Sequence, residues 1–449
     1  MLDCRDFYKK AGNFRSVNVY LPEHSRAEHF VGGTQVKPLK CARICVPWLE
    51  GGTDAATMND KPLKILVLSS TRKERDGIAE YTRQVFRPEF EKLGEIAVKI
   101  VDITPGNLLA APFQKADVLH LQHEFFLFDR LVGLSAMFYY PYLWLWSKLL
   151  GFKIVTTIHS TYNVDDLGGA LPHFSRFKWL FPLGSLYLRL HLRLVCACSG
   201  RILILSKMGL ENLARVVSPR TMARKVCYSH LGNYASHIRL QQHGLLGKKL
   251  GLAGDEKIFV LFGFAFPVKG YEYAIDALDD LVNRQGRKDI RLVIVSGETG
   301  KGSFPGGGQG GTYIGWLKQL AAEGKLEPYI LFTGYLANDD PLLEEIFADT
   351  FCFVFPYLDR NFPSGAISTT LATGKPVLVS DIRCFQEYEG LLNFKEQDAG
   401  ALAERMKELM TNPALVARAA EITRHNAKKF DMQNIFATHL ELYRELAAG

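Results

Sequence analysis

Short, almost wholly apolar runs recur along this chain from Leu63 onward, each followed by a stretch with the mixed pattern of an amphipathic helix. KILVLS, AVKIVDI, DVLHLQ, KIVTTI, RILILS and KVCYSH form a first set. IFVLFG, RLVIVSG, YILFTG, FCFVFPY and PVLVSD form a second, beyond a region at 241–255 with Gly, Lys and Leu turns. Strands alternating with amphipathic helices imply a parallel sheet with helices on both faces. The pattern therefore predicts an α/β protein of two Rossmann-like, doubly wound domains, 63–240 and 241–430, facing one another across a cleft. In such folds the ligand lies at the carboxyl ends of the strands. Helices at Ala401–Met410 and Ile435–Leu446 end the chain, with 431–449 set apart as a C-terminal helix. Residues 1–62 lack sustained periodicity and read as an N-terminal extension, and Met58, just ahead of the first strand, is a natural start for the domain.

Composition narrows the class without choosing a ligand. The 449 residues, 47% hydrophobic and 22% charged, suffice for two ordinary domains with sizeable cores. A net charge of +7 suits anionic ligands or an anionic membrane surface, and with no concentrated patch it does not argue for nucleic acid. Eight scattered cysteines lack the paired C-x-x-C spacing of a zinc site and read as reduced thiols. The opening MLDCRDFYKK has no apolar signal-peptide core, which points to a cytoplasmic protein.

The candidate chemistry concentrates in the second half. FVFPYLDRNFPSGAISTTLATGKPVLVSD reads as strand, loop, helix, tight turn and strand, with Ser364 and Gly365 opening a helix that runs through Leu371. Free amides of Ser364, Gly365 and Ala366 would then face the strand ends, where an anion is the natural occupant. Upstream, a strand at Phe259–Phe262, a turn at Gly263 and Lys269-Gly270 at a helix start bring a cation to the same crevice. In the first half Gly77 opens a helix just after a strand, where backbone can approach a ligand closely. His123 and Glu124 follow DVLHLQ, and His159 follows KIVTTI, at the strand ends where sites form.

Taken in order, these elements resemble glycosyltransferase family 4, retaining nucleotide-sugar transferases of the GT-B fold, from about Leu63 to the C-terminus. The resemblance implies transfer of a sugar from a nucleoside diphosphate to a carbohydrate or lipid-linked acceptor hydroxyl, in polysaccharide or glycolipid biosynthesis. It places Gly77 beside acceptor and donor diphosphate, His159 by the donor sugar, and His123 with Glu124 on the acceptor side. It makes Lys269 the cation meeting the departing diphosphate, beside Gly263, Ser364, Gly365 and Ala366. The loop 332–336, with Tyr335, becomes a nucleobase contact, and the last helix crosses back to the first domain. The chain departs from the family at Phe266, where many members have Arg, and at Asn361 and Thr369, where they have the glutamates of an E-x7-E motif; Arg360 is the residue that could supply the missing charge. No Asp-x-Asp occurs, so neither a divalent metal nor another cofactor is expected. These departures also leave room for a non-catalytic binding partner, and the same fold houses nucleotide-sugar epimerases.

Two stretches raise the question of a membrane. Residues 131–147 are uncharged and aromatic-rich, yet too short and too interrupted, by Pro141, for a spanning helix. Between Asp166 and Glu211 there is no acidic residue, while Arg176, Lys178, Arg189, Arg193, Arg201 and Lys207 alternate with Phe, Trp, Leu and Tyr. That pattern fits an amphipathic helix packed on its own sheet with solvated arginines. It equally fits peripheral contact with an anionic membrane, at the inner face of the plasma membrane.

Overall fold

In a computed structural model of the chain, the residues described are 61–70, 77–86, 94, 96–125, 134–165, 179–232, 240–242, 244–252, 254–297, 312–337, 339–358 and 364–448. The N-terminal extension, apart from its last two residues, lies outside them, as do Arg176, Lys178, Arg360 and Asn361.

The first domain is a six-stranded sheet of β1 (Leu63–Ser69), β2 (Ile96–Asp102), β3 (Val118–His123), β4 (Lys153–Ile158), β5 (Arg201–Ile204) and β6 (Val226–Tyr228). Every pairing is parallel and the spatial order is β2-β1-β3-β4-β5-β6. Its helices are α1 (Gly77–Val85), α2 (Pro105–Ala110), α3 (Ala136–Leu150), α4 (Phe181–Cys198), α5 (Lys207–Ala214) and α6 (Pro219–Lys225). Local chemistry sets several of their ends. The Ser206 hydroxyl accepts from the Gly209 amide to cap α5, Ser218 caps α6 in the same way, and Gly151 stops α3 at φ 84°.

The second domain carries β7 (Lys257–Phe262), β8 (Ile290–Val295), β9 (Ile330–Phe332), β10 (Cys352–Phe355), β11 (Val377–Ser380) and β12 (Leu392–Phe394). These strands are also all parallel, in the order β12-β11-β10-β7-β8-β9. Around them lie α7 (Leu245–Leu250), α8 (Tyr271–Asp279), α9 (Tyr313–Glu323), α10 (Pro341–Asp349), α11 (Gly365–Leu371), α12 (Ala399–Thr411) and α13 (Pro413–Lys429).

The final helix, α14 (Met432–Ala448), leaves the second domain and joins the first. Its Met432, Ile435, Phe436, Leu440, Leu442 and Tyr443 pack with Ile65, Val67, Tyr81 and Val155 on one face of the first sheet. The opposite face is covered by α3 and α4, through Tyr140, Leu143, Leu188 and Leu192. Helices on both faces explain why the strands read as unbroken apolar runs: β3 is buried at all six positions.

Each sheet reverses direction once. The chain starts at β1 and adds β2 on one side and β3 on the other; it starts again at β7 and adds β8 on one side and β10 on the other. Loops on the two sides of such a reversal diverge, opening a crevice at the strands' carboxyl ends. The candidate residues of the second half follow β7 and β10, at that reversal, except Tyr335, which follows β9.

Candidate active site

Two loops meet at the reversal in the second domain. Gly263, at φ +119°, ends β7 so close to α11 that a Cβ there would stand 3.0 Å from the Ala366 methyl. Only glycine permits both the turn and that approach. Gly270, at φ +60°, follows a 3₁₀ turn over Pro267–Lys269, and a Cβ on it would fall 2.1 Å from the Pro356 carbonyl oxygen. The Leu358 amide donates to the Val268 carbonyl at 2.9 Å, so the Lys269 turn is tied to the chain leaving β10.

Tyr357 organises what lies between. Its ring is 2% exposed, and the Lys269 ammonium sits 3.7 Å from its centroid. Among the described residues no carboxylate contacts Lys269, so the ring face is its observed electrostatic support. The Tyr357 hydroxyl pairs with the Ser364 hydroxyl at 3.2 Å, and the Tyr357 carbonyl accepts from Ser380 at 2.7 Å. Ser364 occupies the N-cap of α11 with its side chain turned to Tyr357 rather than to the helix amides. Beside this group, Phe264 and the half-exposed Tyr335 lie nearly parallel, with centroids 6.2 Å apart. Phe266, in the place of the family's arginine, is 42% exposed. Thr369, where a glutamate was missing, is buried and donates to the Gly365 carbonyl at 2.9 Å, so its hydroxyl is used inside its own helix.

On the first domain, His159 is half-buried and donates from Nε2 to the Gln122 side-chain oxygen at 2.7 Å, with the edge of Tyr81 against its ring at 5.2 Å. That bond sets the proton on Nε2. The support extends into α14: His120 pairs with Thr157 at 2.7 Å and with the Tyr443 hydroxyl at 2.5 Å, and Tyr81 pairs with His439 at 3.3 Å. Burial pushes His120 and His439 below the usual imidazole range, the latter to about 4, so both are neutral at pH 7. Gly77 begins α1 with open space where a Cβ would stand, and Glu124 accepts a hydrogen bond from Ser160.

His123, expected on the acceptor side, is buried in the core of the first domain. Successive strand residues point to opposite faces, so Gln122 shares the α14 face with His120 while His123 turns toward α3 and α4. It is fully buried there, 3.3 Å from His191 between their Nε2 atoms and packed against Tyr140 and Phe125. Burial, then His191, drives its pKa down, as expected of a neutral core histidine. The arginines expected to be solvated or bilayer-facing are also engaged: Arg189 pairs with Asp165, Arg193 donates to the Val216 carbonyl at 2.9 Å, and Arg201 pairs with Glu445 at 3.2 Å.

Sequence reasoning missed Tyr357, Gln122 and a junction between the domains. Glu387, after β11, accepts from the Lys207 amide of α5 at 3.2 Å and from the Tyr228 hydroxyl at 3.3 Å. Arg383 pairs with Glu211, and Ser368 donates to the Leu231 carbonyl at 3.1 Å. Lys207, Glu211, Arg383 and Glu387 line a cavity of about 160 Å³ between the carboxyl ends of β5 and β11. The two sheets therefore face each other by their carboxyl ends. Among the described residues, no group of three or more His, Cys, Asp or Glu side chains is placed to hold a metal ion.

Comparison with known proteins places this geometry. Residues 256–412, within the second domain, match the family described as Glycosyl transferases group 1. No curated protein matches the chain in sequence. Among solved structures, sucrose-phosphate synthase from Thermosynechococcus elongatus aligns at TM-score 0.62 and 18% identity, over 86% of this chain and 99% of that one. HepE of Anabaena, in complex with UDP, aligns at TM-score 0.61 and 15% identity, over 85% and 100%. An α,α-trehalose-phosphate synthase from Burkholderia xenovorans, in complex with glucose-6-phosphate, aligns at TM-score 0.60 and 11% identity, over 86% and 100%. The two-domain architecture is the GT-B fold expected from the sequence.

Proposed function

We propose that this protein transfers a glycosyl group from a nucleoside diphosphate sugar to a hydroxyl of a carbohydrate or lipid-linked acceptor, with retention at the anomeric carbon and without a divalent metal. The observation that carries the reading is the Lys269 ammonium, held on the Tyr357 ring and with no carboxylate partner among the described residues, at the β7/β10 reversal of the domain that matches the group 1 glycosyl transferases. As the glycosidic bond breaks, negative charge grows on the leaving phosphate oxygens. A fixed cation beside them stabilises that state more than the ground state, which is what accelerates a reaction. Gly263, Ser364, Gly365 and Ala366 form the close-packed wall of the diphosphate site, and Arg360, outside the described residues, is the residue that could supply further charge. Tyr335, on Phe264, offers an aromatic surface for the nucleobase.

His159, fixed by Gln122, holds the donor sugar, and Gly77 and Glu124 border the acceptor. Retention without a protein nucleophile follows if the acceptor attacks the face from which the diphosphate departs, a leaving phosphate oxygen taking the acceptor proton. Since HepE is described with UDP, a uridine diphosphate sugar is the first donor to try. The reading includes peripheral contact with an anionic membrane and work in polysaccharide or glycolipid assembly on the cytoplasmic side.

The test combines thermal stabilisation by UDP, GDP and ADP sugars with detection of released nucleoside diphosphate and the anomeric configuration of the product. Donor-induced stabilisation with retained configuration is expected. The Thr369 hydroxyl committed within its helix favours a second reading, a non-catalytic binder. Stabilisation without release of nucleoside diphosphate by any acceptor or water would select that one, and altered sugar still attached to nucleotide would select an epimerase.

A further inference from the structure

Among the described residues, most of the exposed large apolar side chains lie on one side of the first domain. Trp179 is 76% exposed, Leu149 and Leu183 65%, Phe138 62%, and Leu186 53%, all on or just before α3 and α4. The two helices pack together, and the 3₁₀ turn Ala111–Phe113 extends the patch, since Phe113 lies against Trp146 with centroids 4.9 Å apart. Neither helix contains an acidic residue. At their carboxyl ends Lys148, Arg224 and Lys225 gather, with Lys225 donating to the Cys196 and Ala197 carbonyls.

An exposed apolar surface of this extent on a soluble domain marks an interaction site. Aromatic residues with a basic border fit the boundary between acyl chains and anionic headgroups. Among the described residues no helix is long and apolar enough to cross a bilayer, and α3 is interrupted by Pro141. The face can lie on a membrane but not span it.

We propose that the outer face of α3 and α4 docks on a lipid bilayer bearing anionic headgroups, with Trp144, Trp179, Leu183, Leu186 and Phe138 in the interface and Lys148 and Arg224 at its edge. This rests on the reading of a membrane-proximal transferase and names the surface that would meet the lipid. Both helices follow strands of the first sheet, so they begin level with the carboxyl ends that form the cleft. Docking along them sets the cleft beside the surface from which a lipid-linked acceptor would be presented. The arginines of the segment do not carry this contact, because Arg189 and Arg201 are paired within the protein.

The experiment uses the full chain with no donor present, so its outcome is independent of transfer. Vesicles of phosphatidylcholine alone, and of phosphatidylcholine with phosphatidylglycerol, are sedimented with wild type, with Leu183→Glu/Leu186→Glu and with Trp179→Ala. Preferential binding to the anionic vesicles is expected, weakened at least about tenfold in the double variant and less in Trp179→Ala, with unchanged melting temperatures. Three of the five tryptophans, Trp144, Trp146 and Trp179, belong to this face, so vesicles carrying brominated acyl chains should quench much of the protein's emission. Absence of binding by wild type, or binding that both folded variants retain, overturns the proposal. A wild-type dimer in light scattering that the double variant dissociates, without vesicle binding, assigns the face to a second copy and overturns it too. Vesicle binding by a wild type that shows no transfer in the separate donor assay would instead refute the catalytic reading alone.

Discussion

Glu387 of the second domain accepts the backbone N–H of Lys207, the first residue of a first-domain helix, at 3.2 Å. A carboxylate at a helix N-terminus is favourable, yet burial dominates here: Glu387 is 3% exposed and its Oε1 has no hydrogen-bond partner among the described residues. Burial pushes its pKa from 4.5 up to about 7, against the opposing pull of the Lys207 amide and Tyr228 hydroxyl bonds. A raised carboxyl pKa means the folded protein keeps a proton that the unfolded chain has released.

Stability from this group is therefore complete below pH 4.5 and declines as pH rises toward 7, by about 3 kcal/mol over the full range. Glu387→Gln stays neutral and still accepts from Lys207. Its melting temperature should gain on wild type by several degrees between pH 5 and pH 8. A difference that stays constant across that interval would show that the Glu387 proton is not linked to folding.

Gly270 tests the packing of the Lys269 turn. Gly270 and Gly286 share a left-handed φ, +60° and +71°, but only Gly270 faces an obstacle, the Pro356 carbonyl oxygen. Gly286→Ala should cost only the backbone preference, about 1 kcal/mol. Gly270→Ala should cost more, by about 2 kcal/mol or above, because a strained backbone must also move. Urea unfolding of the two variants measures the contrast, and equal losses would mean that the Val268–Leu358 clamp is not rigid.

How much of this was legible in the sequence depended on whether a residue's neighbours are local. Strands buried on both faces betray themselves as apolar runs, and Gly263, Lys269-Gly270 and Ser364-Gly365 stand beside their strands, so the fold and the β7/β10 reversal were readable. The same double burial hid which face a strand residue serves. In VLHLQH every position is buried, so nothing in the pattern told Gln122, which orients His159, from His123, which packs in the core. Tyr357 looked like one more core aromatic after β10, and its role appears only when the Lys269 turn folds over it. Arg189 and Arg201 read as solvated or lipid-facing because their partners, Asp165 and Glu445, lie 24 and 244 positions away.

Metal independence has a direct check. The charge on a leaving diphosphate can be met by a divalent ion or by fixed protein cations. With Lys269 free of any carboxylate partner among the described residues, the second arrangement is favoured. Transfer should persist in excess EDTA at a rate close to that with added Mg²⁺. A strict requirement for Mg²⁺ or Mn²⁺ would transfer the leaving-group role away from Lys269.

Lys269 itself gives the sharpest test, since Phe266 stands where the family resemblance implies a second cation; if the diphosphate binds at this reversal, the lysine carries a larger share of its charge. If it acts on developing charge, Lys269→Ala should lower kcat by on the order of 10²-fold, as for loss of one preorganised oxyanion donor, with a smaller change in donor affinity. Tyr357→Phe keeps the ring under the ammonium and removes only the hydroxyl bond to Ser364, so its kcat should stay within a few-fold of wild type. Phe266→Arg restores a second cation beside the site and should tighten donor binding. Steady-state kinetics on the three variants, each checked for an unchanged melting temperature, separates the roles. Near wild-type turnover in a folded Lys269→Ala protein would remove the leaving group from this reversal and, with it, the reason for placing the reaction in the second domain.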